Sequence, residues 1–236
     1  MAKLLAAISV LWIFSSVSYA QVTPPAGRIP WSLTVVVMDG TNPRSRAELP
    51  VWEAVRFIER RSRFAFDVKF VVDNTRHTYT PYYIGRDRNR DGKGDEIRYL
   101  MMGWDVPASV IDPLPVSSSY LFLYRLNRRQ PLQAGSSLAI EYGIMKGGKL
   151  RTYATIPTDQ PWFVNEPNHG FRSWAAQIVT HELINTIQAK IEAAPYNCGQ
   201  LKGKPGARPD RHEGERLREI TPACYDRLIQ NEDQPK

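Results

Sequence analysis

His181 and Glu182 stand side by side in the run Val179-Thr-His-Glu-Leu-Ile-Asn-Thr-Ile-Gln188, and Asn185 follows His181 by one helical turn. Two imidazoles at that spacing would aim their nitrogens at one divalent ion. A glutamate beside the first would then serve as general base on a metal-bound water. Here the second position carries an amide, whose neutral, hard oxygen suits calcium better than zinc. The run therefore offers one good metal ligand (His181), one candidate catalytic base (Glu182) and one weak ligand (Asn185).

The element that must carry these residues is a helix. From Phe171 to Ala194 the chain contains no proline or glycine, and it stops at Pro195. Helical spacing puts His181, Asn185, Gln188 and Glu192 on one stripe and Ile184, Ile187 and Ile191 on another, about a quarter-turn away. The polar stripe lacks the Lys and Glu density of a solvated face. It is expected to line a cleft or to be partly covered.

A second constellation lies upstream. Asp87, Asn89, Asp91 and Asp95 surround Gly92 at alternate positions, a pattern in which oxygen-bearing side chains wrap a calcium ion and glycine permits the turn. Arg98 stands where a helix-loop-helix site would have its bidentate glutamate, so the expected setting is a β-hairpin loop between strands at His77–Ile84 and Glu96–Gly103. Arg86, Arg88, Arg90 and Lys93 oppose a cation there, and the plain alternative is a polar turn.

Around these residues the chain reads as alternating strands and helices. Ser32–Met38 is a strand; Pro50 is expected to open a helix with Val51, Val55 and Ile58 on one face and Arg60, Arg61 and Arg63 at its cationic end. Phe66–Val72 follows as a strand, and strand, helix, strand favours a parallel pair joined by a crossover. Tyr120–Leu126, Leu138–Met145 and Leu150–Ile156 read as further strands, the last two forming a hairpin through Lys146-Gly-Gly-Lys149. His212–Ile229 is expected to be helical, interrupted by Pro222.

Residues 1–20 carry Lys3, an apolar run from Leu4 to Val17, and Ser18 and Ala20 at the small-residue positions before Gln21, the pattern of a secretory signal peptide. Residues 21–236 are expected to form one exported domain, secreted, periplasmic or extracellular, with a C-terminal subregion at 195–236 and no membrane span. Losing Lys3 takes the formal net charge from +7 to +6. The basic residues are scattered among carboxylates, which argues against nucleic acid as a partner and leaves an anionic envelope surface or an acidic substrate. The two cysteines, Cys198 and Cys224, are expected to form a disulfide in an oxidising compartment, worth roughly 3 kcal/mol in the loop-entropy picture.

The order strand, helix, several strands and then a long helix carrying Ile178-Val-Thr-His-Glu182 resembles the zincin-like metallopeptidases. The resemblance covers the mature chain to about residue 194 in topology and about ten residues in specific motif. It implies an α+β fold with an α/β-like start, a mixed twisted sheet packed on the motif helix; the cysteine pair adds a disulfide-tied helical segment after it. The resemblance also implies an edge strand that binds extended peptide and a metal at the foot of the cleft. His181 matches the first ligand, Glu182 the base and Asn185 the second ligand position. A third ligand would come from His212, Glu213, Glu215 or Glu219, or from His77 or His169. Gln188 and Ile191 depart from the metzincin extension, and no methionine follows the helix. The expected function is that of an exported, degenerate or variant metallopeptidase with zinc or calcium as its ion and a peptide or protein as its ligand. The alternative is a calcium-stabilised secreted binding module without catalysis.

Overall fold

Ile29–Met38 (β1) is an inner strand of the main sheet, and it leads into Arg44–Glu59 (α1) and Phe64–Asp73 (β2). The computed structural model describes residues 27–38, 44–75, 82–86, 96–101, 106, 108–124, 141–146, 149–158 and 173–231. The expected signal peptide, the loop at 87–95, His77 and His169 lie outside these residues. The remaining elements are Tyr82–Arg86 (β3), Glu96–Met101 (β4), Ala108–Ile111 (α2), Ser119–Tyr124 (β5), Glu141–Lys146 (β6), Lys149–Pro157 (β7), Trp174–Glu192 (α3), Pro209–Arg218 (α4) and Pro222–Asn231 (α5).

One five-stranded sheet has the order β2-β1-β5-β7-β6. β1 pairs in parallel with β2 and β5, β5 pairs in parallel with β7, and β6 closes the sheet as an antiparallel edge strand. The expected crossover pair and the 146–149 hairpin are both present. The hairpin expected from His77–Ile84 and Glu96–Gly103 is described at Tyr82–Arg86 and Glu96–Met101, where β3 and β4 pair antiparallel on either side of the 87–95 segment.

Both faces of the sheet are covered, so its inner strands are buried at almost every described position, Thr34, Ser119, Arg151, Thr152 and Thr155 included. Leu33, Val35, Val37, Leu121, Leu123, Ala154 and Ile156 face α1 and α3 and meet Val55, Ile58, Val179, Leu183, Ile187 and Ile191. The alternate residues Val36, Met38, Tyr120, Phe122 and Tyr153 pack on the opposite side with Val110 and Ile111 of α2.

Pro50 does not open α1, as the sequence suggests, but lies inside it. The ring removes the N–H that would bond the carbonyl of the fourth residue back, a local cost that α1 bears because it is packed against α3 and β2. Pro222, read as an interruption, starts α5 and divides the C-terminal segment into two helices. Cys198 and Cys224 are disulfide-bonded, with Cα atoms 5.5 Å apart, and tie the loop after α3 to α5. No helix among the described residues is long and apolar enough to cross a membrane.

Candidate functional site

The motif helix α3 begins at Ser173, whose hydroxyl accepts from Ala176 N at 3.1 Å and so satisfies one of the first-turn amides. The Ser173 hydroxyl also meets the Glu53 carboxylate of α1 at 3.2 Å. At mid-helix a chain of hydroxyls fixes α3 against the sheet. Trp31 Nε1 donates to Ser119 Oγ at 3.2 Å, Ser119 Oγ lies 3.2 Å from Thr152 Oγ1, and Thr152 Oγ1 donates to the Thr186 carbonyl at 2.9 Å. These bonds link β1, β5 and β7 to the residue next to Asn185. Ile184, Ile187 and Ile191 are fully buried, as their stripe predicts.

The polar stripe is partly covered, and α4 is what covers it. His181 Nδ1 lies 2.7 Å from Glu213 Oε1. The other carboxylate oxygen of Glu213 accepts from Arg216 at 3.0 Å, Arg216 donates to Gln188 Oε1 at 2.7 Å, and Gln188 donates to Glu192 at 2.6 Å. Every polar member of the stripe except Asn185 thus enters one network with α4. Asn185 turns back along its own helix and donates to Glu182 Oε2 at 3.3 Å.

Burial makes this network matter. The side chain of Glu213 is 3 % exposed and that of Arg216 is 6 %, whereas that of His181 is 47 % exposed. Partial burial disfavours the His181 cation, but the bond to Glu213 and the charges of Glu182 and Glu213 outweigh it, so the imidazole pKa is raised. For Glu213, burial favours the neutral acid, yet the His181 bond and the charges of His181 and Arg216 prevail and lower the carboxyl pKa.

His212 is also brought close. Its Nδ1 meets the Lys204 carbonyl at 3.2 Å, and its Nε2 is 3.9 Å from Glu213 Oε1, beyond hydrogen-bond reach. The ring sits against Gly203, where φ is +62° and an added Cβ would come within 2.7 Å of it, so only glycine fits that turn. Glu219 is occupied elsewhere, accepting from Lys202 N at 2.6 Å and Gly203 N at 3.0 Å. Glu215 faces Arg211 at 3.9 Å and Arg218 at 3.7 Å.

Zinc needs a closed set of imidazole, thiolate or carboxylate ligands. Among the described residues, no group of three or more His, Cys, Asp or Glu is placed to hold a metal ion. His181 supplies one imidazole, with Nδ1 engaged by Glu213, and the amide N–H of Asn185 is directed at Glu182. This donor set does not fit zinc. What the arrangement can do is hold α4 on α3 through buried charges.

The resemblance offers Glu213 as one of several alternative third ligands; its position here is that of a partner to His181. Arg216 was not singled out by sequence at all. Its only signal is the Glu213–Arg216 spacing of three residues on a short helix. Neither a protein-family model nor a curated protein matches this chain.

Proposed function

We propose that the protein is an exported, zincin-like peptide-binding protein whose motif helix has lost the catalytic metal and keeps the cleft beside it. The observation that carries this reading is the Asn185–Glu182 hydrogen bond. The residue at the second ligand position donates to the carboxylate that would otherwise activate water, and so engages the base instead of a metal. Support for the zincin-like frame comes from the sheet, with four parallel strands and an antiparallel edge strand, β6, packed against α3. An extended peptide would add to the outer edge of β6 through main-chain hydrogen bonds.

Fluorescein-labelled casein, supplied with zinc, tests this. Binding should appear as a rise in anisotropy with no release of labelled fragments. Fragment release that disappears in Glu182→Gln would overturn the non-catalytic reading, and absence of binding would overturn the cleft.

The β3–β4 hairpin supports a second reading, a calcium-stabilised binding module, because its two strands bracket the loop of Asp87, Asn89, Asp91 and Asp95.

A further inference from the structure

α1 runs out into Arg60-Arg61-Ser-Arg63; Gly214 of α4 abuts Arg61, and Arg218, the last residue of α4 and one turn beyond Gly214, acts electrostatically on it. Arg61 is the centre of the group. Its guanidinium lies 3.9 Å from the Phe57 ring centroid, and its Cδ and Nε lie 3.6 Å from where a Cβ on Gly214 would stand. Partial burial, followed by the charges of Arg60 and Arg218, lowers the Arg61 pKa, which places three cations within electrostatic reach of one another. Arg63 adds a fourth, stacked over the Tyr225 ring at 5.3 Å. Arg56, Arg60, Arg61, Arg63 and Arg218 are all exposed.

Of the nearby carboxylates, only Glu215 pairs with a member of this group, at its Arg218 margin. Glu59 accepts from Phe66 N at 2.8 Å, and Glu215 is shared between Arg211 and Arg218. Among the described residues, Arg60, Arg61 and Arg63 have no carboxylate at ion-pair distance. A surface that gathers like charges with few counter-charges loses stability to repulsion and gains attraction for a polyanion. The cations are all arginines, whose planar forks grip phosphate oxygens in pairs where an ammonium cannot. The aromatic rings under them, Phe57 and Tyr225, are buried, and no exposed large apolar side chain belongs to the cluster. A protein partner would need such anchors at the centre of its interface, and a phosphate-bearing membrane surface would not.

We propose that the arginine cluster at the α1–β2 turn and the end of α4 is a docking surface for anionic phospholipid membranes. The expected export of the chain brings it to such a surface. The test is co-sedimentation of the full mature protein with vesicles of phosphatidylcholine alone or with added phosphatidylglycerol, at low and high salt. Binding should require phosphatidylglycerol and fall away in high salt. In Arg60→Glu/Arg61→Glu/Arg63→Glu it should weaken on the order of a hundredfold, while Lys69→Glu, on the far edge of β2, leaves it unchanged. Because Arg61 packs on Phe57, a second variant, Arg60→Gln/Arg218→Gln, alters only exposed groups and should weaken binding in the same direction with an unchanged melting curve. Binding equal on both vesicle types, or kept in both variants, overturns the proposal. So does capture by heparin or a phosphopeptide without any vesicle binding, which would assign the cluster to another polyanion.

Discussion

His181 Nδ1 and Glu213 Oε1 lie 2.7 Å apart across the contact of α3 with α4. A carboxylate has only acceptors to offer, so Nδ1 carries the proton and the ring is oriented by a residue from another helix. Arg216 holds the second oxygen of the same carboxylate, which makes Glu213 the shared centre of the polar contact.

Glu213→Gln is expected to destabilise the protein by about 3 kcal/mol, because it leaves the buried Arg216 without its counter-charge. His181→Gln should cost less, about 1 kcal/mol at most, since that side chain is half-exposed. The pH dependence has a definite sign. The His181 pKa is raised, so its contribution is fully present below about 6.5 and is lost as pH climbs through the higher folded value. The Glu213 pKa is lowered, so its contribution is present above about 4.5 and is lost as pH falls through the lower folded value. Melting curves of both variants against the native protein should therefore differ most between those limits. Above them the Glu213→Gln gap should narrow without closing, because the native Glu213 keeps its bond to Arg216. A gap independent of pH would contradict the pairing.

Asn185→His tests the helix face directly. Restoring an imidazole one turn from His181 removes the donor that Glu182 now accepts from and supplies a borderline-soft nitrogen in its place. Calorimetric titration should show weak zinc binding in the native chain and a gain of at least about tenfold in the variant. Tight native binding lost in His181→Ala would mean that a working site exists. No gain in the variant would mean that the geometry of a metal-holding helix is absent.

The Cys198–Cys224 bond closes a loop that includes α4. Replacing both cysteines by serine should lower stability by about 3 kcal/mol through the entropy of the unfolded chain. Reductant should lower the melting temperature of the native protein and leave the variant unchanged. Equal sensitivity in both would show that the bond contributes nothing.

Local signals carried much of this fold. The crossover β1-α1-β2 is legible because its three segments differ in hydrophobic period, and α3 because it lacks glycine and proline over its whole length. The insertion of β5 between β1 and β7 is not legible, since strand order is decided by which faces bury together and not by any short stretch. The position of Pro50 inside α1 was hidden for a related reason: packing against α3 overrides a local preference for the first turn. At the site, His181, Glu182 and Asn185 could be grouped from their spacing on one helix. Glu213 and Arg216 come from a helix that follows an irregular, glycine-rich loop, and nothing in their own segment announces which face of α3 they meet.

The calcium reading rests on a loop whose two flanking strands are paired, with Tyr82 opposite Met101 and Arg86 opposite Glu96. Pairing on both sides fixes the ends of the loop and reduces the entropy of wrapping four oxygen-bearing side chains around an ion. The basic residues Arg86, Arg88, Arg90 and Lys93 oppose this, so the expected affinity is in the weak, extracellular range, about millimolar. Ten millimolar calcium should then raise the melting temperature through its preference for the folded state, and magnesium, which demands a tighter octahedron, should not. Asp91→Ala should remove the calcium effect while leaving the melting temperature without calcium nearly unchanged, because a loop side chain that only binds the ion contributes little in its absence. An unchanged melting curve for the native protein at that concentration would reduce the segment to a polar hairpin turn.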